Sequence, residues 1–366
     1  MKISFGKKLL AVALAAASLG SLSNFSGAEA KIADQEFTIV GHRGARDLRP
    51  ENTLAAFAVG MEIGVTQIEL DTHISKDGIV MVSHNASLDP ILARDKNGKW
   101  VTRENRPDLR LITMQEAKQY DVGGLNPDGG GYYKAHAASQ KVIKNETVPT
   151  LEEVFQLVKA YHNNVVVNIE IKSYPDKKDP RGGGFNTPLD EHVTKVLDLV
   201  AKYGMQDRVT LQSFDWRVLQ EVRRQNKAIT IGTLTCERPD LGKTEVYREE
   251  GMPGASPWMG GLDIDDFAGD YVKASKAVYA DYVAPIYSEV TPEFVAEAHR
   301  LGIKLIPWTV DNPADMERLI DMGVDGLISD RPDIVRTVAA KKGKSLPKNS
   351  SRPAEIKDMF PNSVKW

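Results

Sequence analysis

Nine short runs rich in β-branched residues, most of them followed by a stretch with apolar residues at helical spacing, limit this chain to a narrow set of folds. The runs lie at 37–41, 67–71, 79–84, 165–171, 209–213, 229–234, 282–286, 305–310 and 326–329. Helical patterns cover 53–63, 151–161, 192–203, 216–225, 292–301 and 313–322, several opened by Pro or a capping residue. Strand and helix alternating in this way build βα units around a parallel sheet. An eight-stranded α/β barrel is the simplest closure. One link departs from the period: Ser75-Lys76-Asp77-Gly78 is too short to hold a crossover helix, and Asp-Gly reads as a hairpin turn. The second and third runs are therefore expected to be antiparallel. That leaves eight runs for eight barrel places and returns His84 beside Glu69 or Asp71, depending on the turn.

Two stretches interrupt the repeat after strand ends, at about 86–147 and 237–271, and loops on that side of a barrel carry the active site. Both insertions are expected to wall or cover a pocket. The N-terminus reads separately. Lys2, Lys7 and Lys8 precede an apolar run ending at Leu19, and Ala28-Glu29-Ala30 offers a small-x-small cleavage site, the pattern of a secretory signal peptide over 1–30. The expected mature chain is a secreted, periplasmic barrel domain over 31–340 with a tail at 341–366 whose Lys, Pro and Ser content suggests mobility. No stretch approaches the roughly 20 apolar residues of a membrane-spanning helix. Cleavage removes three Lys and one Glu, taking the formal charge from −3 to −5, which argues against a nucleic-acid partner. Cys236 is the single cysteine, so no internal disulfide forms. It is read as a buried packing residue, a nucleophile being the alternative. Oligomeric state is not legible.

The residues able to carry chemistry cluster at strand ends. Gly41-His42-Arg43-Gly44 closes the first run, with Pro50-Glu51-Asn52-Thr53 at the next helix start, where Asn52 reads as the cap. Imidazole moves protons near neutral pH and guanidinium grips two phosphoryl oxygens, so the pair suits a phosphate ester. A turn with a surface Arg is the plainer reading. Glu69 and Asp71 share one face of their strand by its period of two. Paired carboxylates in one space raise each other's pKa or take a cation, and oxygen ligands suit Ca²⁺ or Mg²⁺. Glu170 offers a third carboxylate on a strand where Asn168 and Lys172 share its face, with a plain Glu170–Lys172 ion pair as the competing reading. His84 ends the third run and could face His42 across the mouth, supplying acid and base. His73, His136, His162, His192 and His299 are read as structural or exposed, although His73 lies two residues past Asp71.

In this order the elements resemble the glycerophosphodiester phosphodiesterase family, phosphodiesterases on distorted TIM barrels. The resemblance runs through His42-Arg43-Gly44, Pro50-Glu51-Asn52-Thr53, Glu69-x-Asp71, Lys76-Asp77-Gly78, His84, Pro149-Thr150-Leu151-Glu152-Glu153, Glu170-x-Lys172, Ser213-Phe214, Trp308-Thr309-Val310 and Gly323-Val324-Asp325-Gly326. It implies that Glu69, Asp71 and Glu170 bind one divalent cation, Ca²⁺ in preference to Mg²⁺, and that His42 and His84 are the acid-base pair. Arg43 and Lys172 would hold phosphate, with Glu51, Phe214 and Trp308 on the substrate side. It also implies attack of a glycerol hydroxyl on phosphorus, loss of an alcohol, and opening of the cyclic phosphate by water. Departures fall on the leaving-group side: Asn85 stands where Asp often follows the His, Leu88-Asp89-Pro90 replaces Leu-x-Arg, and Asp311 stands where Asn is usual. Two other readings are a phospholipase-type enzyme on the same barrel, with Trp258 and Met259 as a membrane-facing rim, and a non-catalytic phosphodiester-binding module.

Overall fold

A computed structural model describes residues 36–175, 187–237, 251 and 254–360. The proposed signal peptide and part of the second insertion lie outside the described residues. The strands are β1 Thr38–Gly41, β2 Gln67–Ile74, β3 Val80–Val82, β4 Val166–Ile171, β5 Val209–Ser213, β6 Thr230–Thr235, β7 Tyr282–Pro285, β8 Lys304–Leu305 and β9 Gly326–Ser329. Around them lie α1 Leu54–Ile63, α2 Met114–Ala117, α3 Gly130–His136, α4 Leu151–Ala160, α5 Leu189–Tyr203, α6 Trp216–Gln225, α7 Tyr271–Ala277, α8 Pro292–Arg300, α9 Pro313–Met322, α10 Pro332–Lys341 and α11 Ile356–Met359.

Neighbouring strands run β8-β7-β6-β5-β4-β2-β1-β9, all parallel, and β3 folds back antiparallel on β2 outside that path. The exclusion of β3 is the consequence expected from Asp77-Gly78. Gly78 takes a φ of 78°, its N–H donates to Ser75 O, and Ile79 O accepts from Ser75 N. The expected strand at 305–310 is cut to two residues by Pro307, which has no N–H for a ladder. Closure survives the interruption. Asp325 N donates to Leu305 O, Ile328 N to Pro307 O and Val310 N to Ile328 O, so the last strand segment still meets β9.

Local sequence explains the helices. Thr150 and Glu153 form a capping box at α4, and Thr291 with Pro292 and Asn312 with Pro313 start α8 and α9. At α1 the cap is Thr53, whose side chain accepts from Ala56 N, not Asn52 as expected from sequence. Asn52 takes a φ of 55° and turns its side chain inward to the site. The sequence reading also passed over α10, although Pro332 opens it and Val335, Val338 and Ala339 bury one face.

The first insertion has a small core of its own, with Leu88, Ala93, Val101, Leu109, Met114 and Ala117 packed on Met81 and Val148. In the second, Met259 is fully buried in the main core and the partly buried Trp258 stacks edge-on to Tyr174. Those two residues therefore make no exposed membrane rim. The tail, expected to be mobile, packs along α1 in its described part, residues 341–360. Ser350 N donates to Met61 O, Arg352 pairs with Glu62 at 2.6 Å, and Ile356 and Phe360 enter the main core.

Candidate active site

The C-terminal strand ends converge on a cleft of about 200 Å³, lined by His42, Arg43, Glu69, His84, Glu170, Lys172, Phe214 and Trp308, with Arg46 and Gln212 among the other walls. Its floor is set by register. Asp71 pairs with Glu170 and Glu170 with Gln212, so three adjacent strands bring polar groups to one level. One oxygen each from Glu69, Asp71 and Glu170 lies within 4.8 Å of the others, and all three side chains are buried.

Electrostatics explains how so many charges share the space. Burial, then Asp71 and Glu170, pushes the Glu69 carboxyl well above its usual range. Burial acts on Asp71 in the same sense, but Lys172, His84, Arg43 and an Asn52 hydrogen bond outweigh it and hold that carboxyl low. Lys172 Nζ lies 2.6 Å from Glu170 and 2.9 Å from Asp71. The Glu170–Lys172 ion pair weighed as an alternative therefore exists together with the carboxylate cluster. A buried trio of carboxylates fits a hard divalent cation, which prefers oxygen ligands and would relieve the repulsion that raises Glu69.

The loop after β1 presents the next pair. Gly44 takes a φ of 93°, and a Cβ there would come within 2.6 Å of the Ala56 backbone, so only glycine lets this loop lie against α1. Arg43, with φ 49°, donates its backbone N–H to Glu69 Oε2 at 2.8 Å and Nη1 to Glu51 Oε1 at 2.7 Å. Asn52 Nδ2 donates to Asp71 Oδ2 at 2.8 Å, and Asp71 N donates back to Asn52 Oδ1. His42 Nδ1 donates to Asp330 Oδ1 at 2.6 Å. Burial pushes the His42 pKa down to about 4; Asp330 opposes this, and Arg43 and Arg46 add to the lowering.

His84 arrives from the hairpin. Ser83 N donates to Asp71 O, which places His84 beside Asp71 rather than Glu69. Its Nδ1 donates to Asn85 Oδ1 at 2.9 Å, and Asn85 Nδ2 donates to Asp89 Oδ2 at 2.6 Å, so two of the departures form one chain behind this imidazole. Burial, Arg43 and Lys172 hold the His84 pKa well below its usual value. Phe214 and Trp308 meet edge to face at 5.4 Å and form an apolar wall.

The remaining histidines and Cys236 sit as expected. His73 donates to His84 O, His192 to Thr72 Oγ1 and His136 to Asp47, while His162 and His299 are exposed. Cys236 is buried. Sequence reasoning missed Asp330, Arg46 and Tyr132. Arg46 donates to Asp330 through Nε at 2.9 Å and Nη2 at 2.5 Å, and Tyr132 donates to Glu51. Asp330 directly follows the ninth run, and that position at the mouth was the available signal.

The glycerophosphoryl diester phosphodiesterase family model matches residues 42–334, nearly the whole barrel. The chain belongs to that family. Among curated relatives, the glycerophosphodiester phosphodiesterase of Caldanaerobacter subterraneus subsp. tengcongensis is 29% identical over 309 residues, covering 83% of this chain and 98% of the relative. A Silicibacter pomeroyi DSS-3 crystal structure assigned to the family by name superposes with a TM-score of 0.70 at 30% identity, over 86% of this chain and 96% of that one. An Oleispira antarctica phosphodiesterase in complex with the product sn-glycerol-3-phosphate shares the fold, with a TM-score of 0.60 at 18% identity over 84% and 99% of the two chains. The distorted TIM barrel implied by the resemblance is thus the family fold, and the chain is an enzyme of this group.

Proposed function

We propose that this chain hydrolyses glycerophosphodiesters to glycerol 3-phosphate and an alcohol, with one divalent cation held by Glu69, Asp71 and Glu170. The observation that carries this reading is the meeting of two imidazoles, three carboxylates and the cations Arg43 and Lys172 on one small cleft. The bound cation would polarise the phosphoryl oxygens and offset charge that builds on them. Calcium is the preferred ion and magnesium the alternative. Arg43 and Lys172 orient the phosphate and stabilise its non-bridging oxygens. His42 and His84 then divide the proton work: one takes a proton from the attacking glycerol hydroxyl while the other gives one to the leaving alcohol oxygen, and the cyclic phosphate so formed is opened by water with the two roles reversed, giving glycerol 3-phosphate. Both have Nδ1 committed to a partner, which leaves Nε2 of each for substrate. Phe214 and Trp308 pack against the carbon skeleton of the substrate. The product seen in the Oleispira antarctica relative is the one this chemistry gives.

The reading extends to a secreted, periplasmic enzyme, on the strength of the signal-like N-terminus. No helix among the described residues is long and apolar enough to cross a membrane. A panel of glycerophosphocholine, glycerophosphoethanolamine and intact phospholipid vesicles tests the substrate class. Turnover of the soluble diesters is expected. Activity confined to vesicles would overturn the reading.

A further inference from the structure

Within the first insertion, α3 and the residues just after it touch the loop between β1 and α1. Tyr132 donates to Glu51 Oε2 at 2.7 Å, and its ring centroid lies 5.9 Å from the Arg46 guanidinium carbon and 4.4 Å from the His136 ring. His136 Nδ1 and Ser139 Oγ donate to Asp47 at 2.8 and 2.7 Å, and Gln140 Nε2 donates to Arg46 O at 2.6 Å. Glu51 accepts from Arg43 Nη1 on its other oxygen, so the Tyr132 hydroxyl and the Arg43 guanidinium divide one buried carboxylate.

We propose that Tyr132 is a positioning residue for phosphate binding, acting through Glu51 to fix the direction of Arg43, so that the first insertion is a working part of the phosphate site. The proposal rests on the reading of Arg43 as a phosphate ligand. A carboxylate tethered through one oxygen swings about its terminal torsion, which is broad for Glu. The second oxygen also faces Arg46 Nη1, but at 3.8 Å that is an ion pair too long to fix direction, and the hydroxyl at 2.7 Å removes the swing. It matters because Glu51 supplies the one short hydrogen bond to the Arg43 guanidinium among the described residues; the buried Nε makes no hydrogen bond there and lies 3.6 Å from Asp71 Oδ2. A guanidinium grips phosphate by geometry as well as charge, so an error in its direction is felt first in binding.

The test uses the full chain loaded with calcium. Binding of sn-glycerol 3-phosphate is followed by calorimetry, and KM and kcat are measured with glycerophosphocholine. Tyr132→Phe keeps the ring and removes the hydroxyl. Its Kd and KM are expected to rise about tenfold, the worth of one charge-assisted hydrogen bond, with kcat within about twofold. Glu51→Gln is expected to weaken binding as well, and the double variant to be no weaker than Glu51→Gln alone, because the two residues act in series. Unchanged Kd in Tyr132→Phe, or additive losses in the double variant, would overturn the proposal. So would an equal loss in Ser139→Ala, which loosens the insertion's hold on Asp47 and leaves Tyr132 intact. Binding is read without turnover, so a tenfold loss in Tyr132→Phe supports the positioning role even if no glycerophosphodiester is hydrolysed.

Discussion

His42 Nδ1 lies 2.6 Å from Asp330 Oδ1, across the seam where β1 pairs with β9. Two further bonds from Arg46, and Asp311 accepting from Asp330 N at 2.8 Å, hold that carboxylate in place. Asp330 is pulled well below the usual carboxylate range by Arg46 and His42, against a burial effect that acts the other way. An ionised partner of this kind fixes the imidazole tautomer and stabilises the imidazolium that forms in turnover. Asp330→Asn is therefore expected to lower kcat about 10²- to 10⁴-fold with little change in KM. Steady-state kinetics on glycerophosphocholine check it, and a kcat within threefold of the parent would remove Asp330 from the mechanism.

Glycine at position 44 is a second point of tension. An added Cβ meets the Ala56 backbone at 2.6 Å, and the φ of 93° is one that other residues rarely adopt. Gly44→Ala should destabilise the fold by at least about 2 kcal/mol. Urea denaturation reads this as a lower midpoint at unchanged m-value.

Stability should also fall on mild acidification. Burial pushes His192 down to about 3, with His73 and Arg110 adding to it, and burial pushes His73 down to about 4. In the unfolded chain both titrate near 6.5, so between about pH 6.5 and 4 the unfolded state binds more protons and unfolding gains. Stability is thus full above about pH 6.5 and is lost as pH falls toward 4. The raised Glu69 carboxyl acts in the opposite sense, so the measurement belongs in saturating calcium, which on the proposed ligation would keep that group ionised. Urea midpoints at pH 7, 6 and 5 should decline in that order. The slope should lessen in His192→Asn, and a flat series would refute the assignment.

Much of the fold was legible because the signals are local. The period of two on 67–71 put Glu69 and Asp71 on one face, and a four-residue link ending in Asp77-Gly78 forced the hairpin that carries His84 to Asp71. Asp330 was not legible in the same way. It lies 288 residues from His42, and only closure of the barrel makes the two adjacent. Asn52 misled because a residue of capping type stands beside the true cap, Thr53, and only the positive φ turns it toward Asp71. Pro307 interrupts a run whose side chains otherwise read as strand, since a missing N–H leaves no mark on hydrophobic pattern. Tyr132 sits in an insertion with no period to read, and its contact with Glu51 depends on packing over long separation.

The central claim is that Glu69, Asp71 and Glu170 hold one cation on which hydrolysis depends. It is tested most directly by calcium titration calorimetry on chelator-treated protein, with glycerophosphocholine turnover followed in the same samples. The account predicts one site per chain, turnover lost on chelation and restored at one equivalent of calcium, and neither binding nor turnover in Glu170→Gln. Full turnover in thoroughly chelated protein, or undiminished calcium binding in Glu170→Gln, would contradict it.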